Sequence, residues 1–404
     1  MDHILILENQ IMNYPWGSHE AISDLLGCKV PSERPEAELW MGAHPKAPSL
    51  ALTETGVTPL PDLIEQQPES ILGDAVARAF GGELPFLLKV LAAAEPLSIQ
   101  AHPTREQARR GYEREEAMGV PLDAPERNYR DRNHKPEILC ALTPFWALKG
   151  FRDPQEILTL LASLECDPLR PHLDHLERIP GPEGLRSFYR GLLTMPEGER
   201  RRMISEAAEA ARRLRDGSPE HTWMLELHEH YPGDAGLLSP LILNLVELQP
   251  GQAMALGAGE LHAYLRGTGI ELMANSDNVL RGGLTSKHMD VPELLEVVRF
   301  ERGDVSVLDP PENARGEKIY GTPFQEFELS AVRLNGGRPY TGGQRRSVEI
   351  WIVVDGRARI AGEGFSRPLD RGEVVLVPAR LPSYLLEGQA ELYRATVPLD
   401  RVNS

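Results

Sequence analysis

The spacing of apolar positions changes twice along the chain. Up to about residue 150, short extended runs mix with helical pieces and turn residues. Within that region Pro85 to Gln100 (PFLLKVLAAAEPLSIQ) is nearly continuously apolar. It ends in an alternating piece, Leu97-Ser98-Ile99-Gln100-Ala101-His102, which predicts a strand. From about 151 to 236 the spacing becomes helical. Asp153-Pro154 makes a helix start with proline just inside, followed by Ile157, Leu158, Leu160, Leu161 and Leu164. Glu197 to Arg215 carries acids early and bases late, as the helix dipole favours, and Gly217 closes it. From Leu241 onward, short apolar runs are separated by Gly, Pro and Asn. Leu241 to Leu248, Ala253 to Leu256, Val348 to Val354 and Val374 to Val377 are predicted strands. Short strands at regular spacing favour an antiparallel sandwich or barrel.

A weak internal repeat sharpens that expectation. Pro250 to Gly267 (PGQAMALGAGELHAYLRG) aligns without a gap on Arg371 to Gly388 (RGEVVLVPARLPSYLLEG). The shared plan is a turn glycine, an acid or amide, four apolar residues, a second turn and an exit strand. It resembles the second motif of the cupins, small jelly-roll barrels. His262 falls on Ser383, which suggests two barrels, one with a histidine where cupins place a metal ligand and one without.

Length and charge narrow the function. A chain of 404 residues has material for two or three domains. Its 43 basic residues against 60 acidic ones give a net charge of −17. That balance argues against nucleic acid and against an anionic membrane surface as partners. A phosphorylated metabolite remains possible if a few cations are concentrated in one pocket. Cys28, Cys140 and Cys166 are too few and too scattered for a disulfide framework or a four-cysteine metal site, so they are expected to be lone thiols. The first residues lack the basic and apolar regions of a signal peptide, and no stretch approaches the ~20 apolar residues of a membrane span. The expectation is a soluble, cytoplasmic protein.

Two constellations could carry chemistry. Gln100 and His102 are two apart in a predicted strand and leave the same face. With Glu137 and His262 they offer two imidazoles, a carboxylate and an amide oxygen, a donor set that suits a divalent cation, zinc best. Any one histidine alone is more often packed or solvated than a ligand. His172, His175, His221, His228 and His230 fall in the helical region and are assigned to helix surfaces, since no HExxH motif is present. The second constellation is Glu271 to Lys287, where Glu271, Asn275, Ser276, Asp277, Asn278, Arg281 and Lys287 crowd polar groups together. Its Gly-Gly-Leu-Thr-Ser-Lys piece lacks the spacing of a P-loop, so nucleotide binding is rejected.

These residues match a family. Tyr14-Pro15-Trp16-Gly17-Ser18, Glu38 to Pro45 (ELWMGAHP), Leu84 to Lys89 (LPFLLK), Leu97 to Pro103 (LSIQAHP), Asn133 to Glu137 (NHKPE), His262 to Leu265 (HAYL) and the whole of Glu271 to Lys287 resemble, in order, the type I mannose-6-phosphate isomerases. The likeness spans residues 14 to about 300 and weakens in the helical region and the last hundred residues. Leu261 and Ser286 stand where the family often has proline, and Gly283 stands beside a usual Ala-Gly pair. None of these departures removes a reactive group. The resemblance implies that Gln100, His102, Glu137 and His262 bind one zinc ion and that Arg281 is catalytic. It further implies that Lys135, Glu271, Asp277 and Lys287 line the site, that Lys89 and Ser98 lie near the substrate phosphate, and that Trp16 and Tyr264 are pocket walls.

The expected fold is mostly β: two cupin-type jelly-roll barrels plus an α-helical insert domain. Residues 1–150 together with 237–325 would form a discontinuous catalytic barrel, 151–236 the insert, and 326–404 a second, metal-free barrel. The expected activity is reversible conversion of D-mannose 6-phosphate to D-fructose 6-phosphate through an enediol, with Glu271 or Lys135 moving the proton. A monomer or weak oligomer is expected. An iron-dependent cupin oxygenase would use two histidines, one carboxylate and open positions, and would leave Arg281 and Lys287 without a task. A non-catalytic sugar-phosphate sensor or storage cupin would have lost reactive groups, and none is lost.

Overall fold

The computed structural model describes residues 3–53, 56–343 and 345–402. Its strands form two ten-stranded antiparallel sheets, consistent with two cupin-type jelly rolls, with helices packed on the outside of one of them. Long strands serve more than one layer. The first part of His262–Ala274 pairs with Phe145–Phe151, and the remainder pairs with Phe86–Ala93 on one side and Glu137–Ala141 on the other.

Alternation along these strands decides what enters the barrel. In Phe86–Ala93 the side chains of Phe86, Leu88, Val90 and Ala92 join an apolar core shared with the other sheet. Leu91 and Ala93 face the other way, into a separate cluster, and Lys89 shares their face. Ile138 and Cys140 belong to the shared core, as do Ile270 and Leu272, which puts Glu137 and Glu271 on the inner face with Lys89. A strand buried on both sides reads as one continuous apolar run, which is why Pro85 to Gln100 shows little period.

The helices appear where predicted. Pro154–Ala162 starts after Asp153, whose side chain accepts from the Gln155 backbone N–H, and Glu197–Leu214 follows the acid-to-base gradient. They do not enclose a core of their own. Leu161, Phe188, Ala207 and Leu227 share one cluster with Ile99, Leu148, Phe151, Ala263 and Leu280 of the sheet. Two predicted strands are shorter than expected. Ser239–Ile242 is a helical turn with Pro240 inside it, so its strand begins at Leu243; Leu97 to His102 shrinks to Ile99–Ala101 between Pro96 and Pro103. Proline supplies no ladder donor, which trims both ends. Among the described residues no helix is long and apolar enough to cross a membrane.

The repeat is structural. Ala253–Leu256 corresponds to Val374–Val377, and His262–Ala274 to Tyr384–Thr396. Gly251 and Gly372 both adopt φ of 85°, a turn conformation that side chains resist. Ser383 is exposed. Inside the second barrel, the buried Arg394 pairs with Glu349 at 3.0 Å and Glu317 at 2.8 Å, and the Tyr384 hydroxyl donates to Glu349 at 2.6 Å.

Strand pairing crosses the boundaries expected between the barrels. Leu5–Glu8 lies between Val374–Val377 and Leu50–Thr53, and Gly56–Pro59 extends that edge. Glu317–Tyr320 pairs with Glu328–Asn335. Four strands from residues 1–150 and 237–325 thus lie in the sheet of the C-terminal region. An open sheet edge takes whichever strand covers it, and proximity in sequence does not select it.

Candidate metal centre and active site

His102, Glu137 and His262 meet inside the first barrel, all buried, with their ligand atoms within 4.8 Å of one another. His262 opens its strand and lies opposite Gln100 in register, and Arg281 lies opposite Gln100 on the other side. Directly opposed residues in an antiparallel ladder project to the same face, so Gln100 and Arg281 share the face of His262. Gln100 Nε2 donates to Ser98 Oγ at 3.3 Å.

The hydrogen bonds around the two imidazoles determine which nitrogens face the cluster. His102 Nδ1 donates to the Asn278 carbonyl at 2.8 Å, and His262 Nδ1 donates to the Glu260 carbonyl at 3.0 Å. Each ring therefore presents a bare Nε2 lone pair. Those lone pairs stand 3.3 Å and 3.5 Å from the two oxygens of Glu137. Protonation would turn this acceptor-on-acceptor contact into an ion pair, but burial depresses His102 and pushes His262 down to about 4. Burial alone would raise Glu137; Lys135 and the imidazoles outweigh it and hold the carboxyl well below its usual range. His102 Nε2 is buried without a hydrogen-bond partner. Neutral nitrogens converging on an ionised carboxylate form a cation-binding arrangement, and two nitrogens with one oxygen match zinc's preferences. The carbonyl contacts that orient each ring are the outer support such ligands need.

Other expected residues surround this centre. Lys135 Nζ lies 3.1 Å from Glu137, and the Tyr264 hydroxyl donates to Glu137 at 3.3 Å. Lys89 does not lie with the other cations. It is buried between Glu271 at 2.8 Å and Glu38 at 3.6 Å, over the Trp40 ring at 5.3 Å; burial would depress it, and the two carboxylates hold it raised. Asp277 is half exposed, 3.7 Å from His44 Nε2. Trp16 stacks on Tyr14 and packs against the apolar cluster that contains Tyr264, away from the polar centre.

Arg281 and Lys287 belong to a group of cations on the open side. Burial lowers Lys287, and Arg281, Arg130 and Lys46 lower it further by their charge. Arg130 and Lys46 are functional candidates that the sequence reading missed, as are Glu38 and His44. Glu38 and Trp40 alternate with the core residues Leu39 and Met41, so period alone pointed to them. Asn278 is a further omission: its carbonyl fixes His102 while its side chain ties down Arg130, Asp131 and Asn133.

Residues 4–154 match the family model of the phosphomannose isomerase type I catalytic domain. The chain is 42% identical over 390 residues to the mannose-6-phosphate isomerase of Escherichia coli (strain K12), covering 96% of this chain and 98% of that one. In structure it is similar to a point variant of phosphomannose isomerase from Salmonella typhimurium (TM-score 0.92, 39% identity, 98% of this chain and 99% of that one). It is likewise similar to a zinc-bound mannose 6-phosphate isomerase (TM-score 0.90, 39% identity, the same coverage).

Proposed function

The chain belongs to the type I mannose-6-phosphate isomerase family, and from that premise we propose that it interconverts D-mannose 6-phosphate and D-fructose 6-phosphate at the His102–Glu137–His262 centre. The observation that carries the reading is the pair of bare Nε2 lone pairs aimed at one ionised carboxylate. Gln100, His102, Glu137 and His262 would hold a zinc ion, which supplies Lewis-acid polarisation of the sugar oxygens when bound.

The reaction moves a proton between C1 and C2 through an enediol, and the chain must bind, orient and exchange that proton. Lys287, with Arg130 and Lys46 beside it, would receive the phosphate dianion, which answers the need for local cations on an acidic chain. Ser98, held by Gln100, would add a hydroxyl donor. Arg281 places fixed positive charge between the cation group and Gln100, where the enediolate develops, and this costs no reorganisation. Two groups are placed to move the proton. Glu271 is raised by burial, with Lys89 opposing and Glu137 adding, which brings a carboxyl toward the range of a general base. Lys135 sits at the rim of the centre with 12% of its side chain exposed, within reach of a bound sugar oxygen. Asp277 would orient His44, and Trp16 and Tyr264 would wall the cavity.

A coupled assay for fructose 6-phosphate, run beside elemental analysis, tests the proposal. His262→Ala should lose zinc and activity together, and Ser383→Ala should change neither. Full zinc occupancy in the His262 variant would place the metal elsewhere. Glu271→Gln and Lys135→Met separate the two bases, since only loss of the true base abolishes exchange of the C2 proton with solvent.

A further inference from the structure

The segment between Arg281 and Lys287 does not hold itself. Leu280–Gly283 pairs with Ile99–Ala101, but the ladder ends at Gly283 and the chain then turns sharply. Gly283 has φ of 140° and Leu284 has φ of 52°, a left-handed conformation that a leucine adopts only when its surroundings impose it. Those surroundings come from the helical region. The Tyr189 hydroxyl, in helix Pro182–Leu193, donates to the Gly282 carbonyl at 3.0 Å. Asp234, just after helix Pro219–His230, accepts from the Thr285 backbone N–H through Oδ2 at 3.2 Å and from Gly236 through Oδ1 at 2.7 Å. The fit is close on both sides: a Cβ on Gly282 would stand 2.7 Å from the Tyr189 oxygen, and one on Gly236 would stand 2.9 Å from the buried Leu284 side chain. Thr285 Oγ1 then accepts from the Lys287 backbone N–H at 3.0 Å, so the support continues to the lysine itself.

We propose that Tyr189 and Asp234 are positioning residues for substrate phosphate: through them the helical region shapes the Gly282–Thr285 corner that presents Lys287. The inference rests on the assignment of Lys287 to the phosphate. Arg281 is secured separately by its pairing with Gln100, so the effect falls on binding and leaves the chemical step nearly intact. A longer Lys287 loop without the Asp234 anchor would still fold, but its ammonium would sample positions away from the cation group. Misplacement of a charge by about 1 Å weakens what it holds by one or two orders of magnitude.

The test uses the zinc-loaded full chain, with inorganic phosphate as a competitive probe that reports the cation group without chemistry. Tyr189→Phe and Asp234→Ala should raise both the phosphate Ki and the KM for mannose 6-phosphate by about tenfold, with kcat within about threefold and zinc content unchanged. Asp234→Asn, which keeps the shape but offers a donor to one of the two N–H groups, should fall between wild type and Asp234→Ala and serves if the alanine variant does not fold. Lys287→Ala is the reference. If it weakens phosphate while the Tyr189 and Asp234 variants bind phosphate within twofold of wild type, positioning by the helical region is overturned and the phosphate assignment stands. If Lys287→Ala also binds phosphate like wild type, the phosphate assignment fails and this inference fails with it.

Discussion

Lys89→Met distinguishes an ammonium that balances charge from one that grips substrate. Lys89 Nζ is 2.8 Å from Glu271 and 3.6 Å from Glu38, and none of the three side chains is more than 10% exposed. Methionine keeps the length of the stem and removes the charge. Two carboxylates would then remain inside the barrel without their counter-ion, and Glu137 adds to the repulsion on Glu271. Breaking such a buried pair costs about 3–5 kcal/mol, because an uncompensated charge is left in a low-dielectric interior. An exposed helical pair such as Glu106 with Arg110 is worth only about 0.3–0.5 kcal/mol, so Arg110→Ala is the control. With an unfolding entropy of about 2.1 cal/mol/K per residue, the Lys89 loss corresponds to a midpoint about 4–6 °C lower. Calorimetry and urea unfolding read it. The sign with pH is also set. The orphaned carboxyls are raised above their unfolded values, so the deficit should be smaller near about pH 5, where they take up protons, and larger near about pH 8. Adding Glu271→Gln to Lys89→Met should recover part of the loss, since it removes one of the two orphans. A Lys89→Met protein within about 1 kcal/mol of wild type that binds inorganic phosphate tenfold more weakly would refute this account and return Lys89 to the substrate.

Arg281→Lys should keep fold and zinc but lower kcat by about 10²–10³, because a point charge cannot reproduce an aimed fork of donors; a kcat within about threefold would sink the catalytic assignment. Free zinc at about 1,000 times its Kd should stabilise the protein by about 4 kcal/mol over the chelated form, and the same unfolding midpoint with and without chelator would contradict binding at a centre that forms only on folding. In the native protein iodoacetamide should modify Cys28 alone, since burial covers Cys140 and Cys166 and pushes their thiols up to about 11 and about 12; mass spectrometry should show three alkylated residues only after denaturation. Burial would raise Glu326, but His134 at 2.7 Å and Arg105 at 2.5 Å hold it lowered. Its contribution is therefore present above about pH 4.5 and lost below, and Glu326→Gln should flatten that part of the acid-unfolding curve.

The parts of the site that lie in short, locally patterned stretches were legible in the sequence. The helix start at Asp153-Pro154, the strand Val374–Val377 and the repeat that pairs His262 with Ser383 all follow from neighbours in sequence. Lys89, Glu137 and Glu271 were visible as charges interrupting apolar strands, yet their shared face was not, because strands buried on both sides hide their period. Glu38 near Lys89, and Arg130 near Lys287, come from distant segments whose approach depends on strand pairing. The crossing of Leu5–Glu8 into the C-terminal sheet was illegible for the same reason: its four residues would fit many edges, and only the assembled sheet selects one.

That crossing has a consequence in time. Leu5, among the first residues to leave the ribosome, finds its ladder partner Leu376 only when nearly the whole chain has been made. Until then Leu5 and Leu7, fully or almost fully buried in the finished molecule, have no final place, and neither does the edge of Leu50–Thr53. Pairing at such separation is slow to close, and unpaired edges invite association with other nascent chains. The two barrels therefore mature together as a single late event, and a fragment ending before Val374 would carry its N-terminal strands as an adhesive surface.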